Sequence, residues 1–176
     1  MSRDTTTPHH DQMELLSIYL DDHWAGAAAG VNLANRMFRH NRNTTWAEDL
    51  AWLCEQIESD RRTLSELRKR LQMSGGQAKR RLAVVVERVS RLKLNGRIVR
   101  YSPLSQVLEA EALMSGVTGK QRLWAALHHG QPIAVDLSGF DFEDLERRAE
   151  QQIELLRTIH HEAAAVAFST DLEGDL

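Results

Sequence analysis

Cysteine is all but missing from this chain. Cys54 stands alone, so no intramolecular disulfide can form. It falls inside a helical pattern and reads as a small core residue rather than a nucleophile. Proline is scarce as well: three in 176 residues, with none between positions 11 and 72, which leaves that stretch open to long helices. There is no run of about 18 uncharged apolar residues of the kind that spans a bilayer. The first twelve residues are polar and lack the apolar segment of a secretory signal. A reduced, cytoplasmic protein without a membrane span is the expectation. Gly-x-Ser-x-Gly, a Walker loop and His-Glu-x-x-His are all absent, which removes the commonest signatures of nucleophilic, nucleotide and zinc-protease chemistry.

What is present is ordinary for a globular chain: 42% hydrophobic and 27% charged residues, too apolar for disorder. The length suits one domain. The organisation expected is a flexible N-terminus over 1–10, a single helical-bundle domain over 11–169 and a flexible acidic tail over 170–176.

Helical periodicity runs through most of it. From Asp11 to His40, Leu15, Ile18, Asp22, Ala25, Ala29 and Leu33 form one stripe, and Leu16, Leu20, Ala27, Val31, Ala34 and Phe38 a second. Within this segment Ala25 to Gly30 is a patch of small side chains, suited to close helix approach. Asn41 to Thr44 is a polar connector, and Thr45-Trp46-Ala47-Glu48 has the form of a capping box. Trp46, Leu50, Leu53, Ile57, Asp60, Leu64, Leu67 and Leu71 then recur at three and four, predicting a helix over 45–72 antiparallel to the first. A third helix is expected over 77–94. Ser102-Pro103 begins a fourth, faced by Leu104, Val107, Leu108, Glu111 and Met114. Gly116 and Gly119 should break it before a short helix to Leu127, with His128 to Pro132 as a loop and Ile133 to Val135 extended. Gly116-Val117-Thr118-Gly119-Lys120 echoes a phosphate loop but lacks its spacing and preceding strand. The last helix starts near Asp141 and carries Leu145, Ala149, Ile153, Leu156, Ile159, Ala163 and Val166 through Phe168.

The chemistry worth testing lies in acids placed on apolar stripes: Asp22, Asp60 and Glu111. A buried carboxylate is costly unless it is paired, hydrogen-bonded or metal-bound. Two readings follow. In the first, a buried ion-pair network joins Asp22, Asp60 and Glu111 to Arg61, Arg88, Arg91 and Arg157. In the second, Asp22, Glu58, Asp60 and Glu111 form a carboxylate metal site for iron or manganese. The histidine pairs, His128-His129 and His160-His161, lack a second ligand at helical spacing and signal little.

The layout of two long helices, an interrupted middle and a long final helix resembles the ferritin-like superfamily. That resemblance implies an all-α, antiparallel up-down bundle, a ferritin-like four-helix core with extra short helices. Di-iron members of the superfamily carry Glu on two helices and Glu-x-x-His on the other two. Here the corresponding stretches read Glu58-Ser59-Asp60-Arg61 and Glu154-Leu155-Leu156-Arg157, with arginine where histidine would ligate. The chain is also similar to small bacterial helical proteins with a Tyr19-Leu20-Asp21-Asp22-His23 start and an Arg91-Leu92-Lys93-Leu94-Asn95-Gly96 centre, a similarity that implies no activity.

Charge is unevenly spread. Residues 79–100 hold eight basic side chains against Glu87 alone, a balance of +7 in a chain whose net charge is −3. This segment suits phosphates, nucleic acid or an acidic partner. The competing reading is internal, with the basic helix neutralising acids on the other helices. The functional expectation is a non-enzymatic bundle that needs no cofactor and acts by binding or assembly, with a homodimer as the candidate assembly and an unidentified protein or small molecule as a further candidate partner. A ferritin-like metal site and nucleic-acid association are the alternatives.

Overall fold

A computed structural model describes residues 7–71, 101–130 and 137–169, with side chains from residue 11 onward. Within these the chain is all-helical and no strand occurs: α1 is Thr7–His40, α2 Ala47–Arg70, α3 Pro103–Gly130 and α4 Phe142–Phe168. The helix expected over 77–94, the basic segment 79–100 with Arg88 and Arg91, the extended stretch 133–135 and the tail 170–176 lie outside the described residues.

Each helix starts where local chemistry allows it. Asp141 caps α4 by accepting a hydrogen bond from the Asp144 N–H at 2.9 Å. Ser102 Oγ accepts from the Ser105 N–H at 3.3 Å, ahead of Pro103 at the first helical position. The expected capping box at α2 does not form: Trp46 occupies the cap position, with no side-chain hydrogen bond to the helix. Thr44, one residue before Thr45, turns the corner instead, its Oγ1 donating to the Asn41 carbonyl at 2.8 Å and accepting from the Trp46 N–H at 3.3 Å. α1 begins at Thr7, so residues 7–10, expected to be flexible, are helical.

Gly116 and Gly119 do not break α3, which runs unbroken for 28 residues and takes in His128 and His129. Two interior glycines cost about 1 kcal/mol each relative to alanine. Around them Leu113, Val117, Leu123, Trp124 and Leu127 are buried, each of the larger side chains worth about 1.5–3 kcal/mol. Tertiary burial therefore outweighs the local penalty. Among the described residues Gly26 and Gly30 do not serve close helix packing either: a Cβ at either would meet none of their atoms within 4 Å.

Packing runs round a ring, with α1 against α2 and α3, and α4 against α3 and α2. The α3–α4 interface is the most extensive and the α2–α4 interface the narrowest. The apolar interior falls into two clusters. Met37, Leu50, Leu53, Leu113, Leu156 and Ile159 anchor one. Leu20, Leu64, Leu67, Trp124, Phe142 and Leu145 anchor the other. Charged side chains sit at the boundary between them. On α2, Asp60 lies between Ile57 of the first cluster and Leu64 of the second; on α3, Lys120 lies between Val117 and Leu123.

Candidate functional site

Asp60 is the centre of that boundary layer and is 1% exposed. Its Oδ2 accepts from Lys120 Nζ of α3 at 2.5 Å and from Gln152 Nε2 of α4 at 3.0 Å. Its Oδ1 accepts from Arg148 Nη2, also of α4, at 2.5 Å. Lys120 donates in addition to Gln152 Oε1 at 2.5 Å, closing a small ring of bonds among three helices. Burial pushes the Lys120 ammonium down from its ordinary value, and the neighbouring Asp60 carboxylate opposes that shift. One carboxylate thus faces two cations. Such a site carries net positive charge and repels a metal ion rather than recruiting one.

A second polar node joins the end of α1 to the start of α3. Asn41 is buried; its Nδ2 donates to the Met37 carbonyl and to Tyr101 Oη, each at 2.8 Å, and its Oδ1 accepts from Gln106 Nε2 at 2.7 Å. Tyr101 Oη in turn donates to Glu109 Oε2 at 3.1 Å, and Arg36 Nε stands 2.6 Å from Glu109 Oε1. Burial raises the Glu109 carboxyl above its usual range, while Arg36 and the Tyr101 hydroxyl hold it partly down. Burial, then the Glu109 charge, lifts the Tyr101 phenol well above its ordinary value.

A third node ties α1 to α2. Arg68 Nη2 and Nε donate to Asp21 Oδ1 at 2.5 and 3.1 Å. Two guanidinium groups approach the Trp24 ring, Arg61 Cζ at 5.2 Å and Arg68 Cζ at 5.1 Å from its centroid.

The residues expected to converge do not all do so. Asp60 is buried among cations, but those cations are Lys120 and Arg148 rather than Arg61 or Arg157. Arg61 stands 3.8 Å from Glu58, within α2 itself, and Arg157 pairs with Glu154 one turn away on α4. Asp22 is exposed, and its neighbour Asp21 takes the buried position. Glu111 is exposed and meets His160 Nε2 at 3.0 Å, while Glu109 is buried instead. None of Asp22, Glu58 or Glu111 is among the partners of Asp60, so the four candidate ligands do not share one site. The physical reason is phase. Adjacent residues on a helix point about 100° apart, so an error of one or two positions turns an interior acid into a surface one.

Lys120, Arg148, Gln152, Asn41 and Arg68 were not anticipated as interior polar residues. A signal for two of them existed. Leu113, Val117, Lys120, Trp124 and Leu127 recur at three and four once α3 is read through its glycines, and Leu145, Ala149, Gln152, Leu156 and Ile159 do so on α4.

Beside Arg148 an open cleft of about 400 Å³ is bordered by Arg62, Glu66, Phe140 and Asp144. Its charges are mixed and favour no single ligand class. Cys54 is half-buried, and burial raises its thiol above the ordinary value, against nucleophilic use. No helix among the described residues is long and apolar enough to cross a membrane.

No protein family matches the sequence, and comparison with curated proteins and with solved structures gives no match. Among the described residues, the fold and the polar layer define an all-helical bundle in which Asp21, Asp60 and Glu109 are each engaged by a cation of another helix.

Proposed function

We propose that this chain is a non-enzymatic helical bundle that acts by assembly, with each helix antiparallel to the neighbours it packs against in the ring. The order is supported by which levels pair: Asp21 with Arg68, Arg36 with Glu109, Trp46 with Glu162, Glu111 with His160 and Gln121 with Glu150. In every one of these pairs an early residue of one helix meets a late residue of its neighbour. On this reading the likeness to ferritin-like proteins extends to the path of the chain and stops at their metal chemistry.

The observation that carries the non-enzymatic reading is the use made of the interior acids. Asp21, Asp60 and Glu109 each face a cation from another helix, so the buried charge joins helices to one another. Groups held this way fix helix alignment, the best-attested role of buried polar residues in bundles.

Assembly is proposed as a homodimer through one end of the bundle. Of the four large apolar side chains left exposed among the described residues, Leu104 opens α3 while Val166 and Phe168 close α4. The pairings of Glu111 with His160 and Gln121 with Glu150 bring residue 104 level with residues 166–168. A two-fold contact uses one patch twice, so a small apolar end serves both partners. Sedimentation velocity over a concentration series tests this. The wild type should convert to a dimer as concentration rises, and L104E/F168E should remain monomeric with an unchanged helical circular dichroism spectrum. A wild type that stays monomeric throughout, or a charged variant that dimerises equally well, would overturn the assembly. Iron or manganese retained stoichiometrically after purification without chelator, and lost in D60N, would overturn the structural role given to Asp60.

A further inference from the structure

Away from the interior nodes, the last turn of α3 and the second turn of α4 bring together His128, His129 and Glu146. One ring nitrogen from each histidine and one carboxylate oxygen of Glu146 all lie within 4.8 Å of one another. The imidazole rings are stacked, with centroids 4.9 Å apart and planes 18° from parallel. His128 and Glu146 are partly buried, and His129 is exposed.

From these residues we infer a binding site for a divalent transition ion of the zinc class. Two imidazole nitrogens and one carboxylate oxygen are a donor set that zinc accepts, with a fourth position left for water. At bond lengths of about 2.0–2.2 Å, tetrahedral ligand atoms sit roughly 3.3 Å apart. Side-chain rotation at a half-exposed position closes the remaining gap.

Two further observations favour a cation here. Among the described residues Glu146 forms no ion pair, whereas Asp144, two residues earlier, is bonded to both Arg147 and Arg148. The histidines also stand in the last turn of a 28-residue helix, where the negative end of the helix dipole attracts positive charge. The ion would clamp the end of α3 to the start of α4. This site is independent of the dimer proposed above and of the charged layer at Asp60.

Titration of the full chain with zinc, and with cobalt(II) as a spectroscopic reporter, tests the inference. One equivalent should bind, with a cobalt absorption spectrum of a four- or five-coordinate site, and zinc should raise the thermal midpoint. H128Q and E146Q should each weaken binding by at least about tenfold and abolish the thermal shift. H9Q/H10Q and H160Q/H161Q should leave both unchanged. Circular dichroism of each variant checks that the fold is retained. Absence of a saturable single equivalent, or affinity that survives H128Q and E146Q in folded protein, would overturn the site.

Discussion

Lys120 and Gln152 share one oxygen of Asp60 and bond each other: Lys120 Nζ donates to Gln152 Oε1 while both also donate to Asp60 Oδ2. Lys120 comes from α3, which does not pack directly against α2, so its side chain spans the middle of the bundle to reach Asp60. The carboxylate is therefore the shared counter-charge of three helices at the middle of the bundle.

Removing that counter-charge should be expensive. D60N leaves Lys120 largely buried with no anion and Arg148 with only the more exposed Asp144, and breaking such a buried pair costs about 3–5 kcal/mol. K120M should cost less, because Arg148 and Gln152 still bond Asp60. Urea unfolding followed by circular dichroism would rank the two, and a D60N protein as stable as the wild type would show that Asp60 is not held as described.

Asp21 and Asp22 make a sharper comparison, since they are adjacent and chemically identical. Asp21 is buried and held by Arg68, so D21N should lose roughly 1.5–3 kcal/mol, the usual worth of a hydrogen bond to a charged group. Asp22 is exposed, and D22N should fall within about 1 kcal/mol of wild type. Chemical denaturation of both variants checks the ordering.

Glu109 should leave a signature in the pH dependence of stability. Its carboxyl is raised above 4.5 in the folded protein, chiefly by burial. The folded form therefore holds its proton at a pH where the unfolded chain has released it. The contribution of Glu109 is most favourable below the ordinary carboxyl range and declines as pH rises from there through the raised folded value. E109Q cannot titrate. Its stability relative to wild type should improve across that window and level off above it, as measured by urea unfolding at a series of pH values.

Glycines in α3 offer room for improvement. At Gly116 and Gly119 a Cβ would meet no atom of the described residues within 4 Å, and both lie inside a continuous helix. G116A and G119A should each stabilise by about 0.5–1 kcal/mol. A helix interrupted at these positions would give the opposite sign, so thermal denaturation separates the two geometries.

How much was legible beforehand depended on side-chain size. α2 carries leucine or isoleucine at almost every interior position, so its phase, its extent and the burial of Asp60 could be read directly. α1 and α3 are rich in alanine and glycine, which suit either face of a helix. Their wide pattern leaves the phase loose, so the stripes point to acids at 22 and 111 where the interior ones are at 21 and 109. Lys120 was hidden for the same reason, since two neighbouring glycines suggested a break. The partners of Asp60 come from α3 and α4, 60 and 88 to 92 positions away. No local pattern encodes a pairing of that range.

The uneven ring of interfaces has a consequence for how the molecule breathes. α3 and α4 share the broadest contact and α1 and α2 the next, while α2 and α4 touch over a narrow strip. Where the two pairs face each other across that strip, Asp60 and its partners do the fastening. Partial opening should therefore separate α1–α2 from α3–α4 as two units, a division that amide exchange would resolve into two protection classes. The charged layer is one latch between them and the Asn41–Glu109 node between α1 and α3 the other, and their joint strength sets how often the bundle swings open without unfolding.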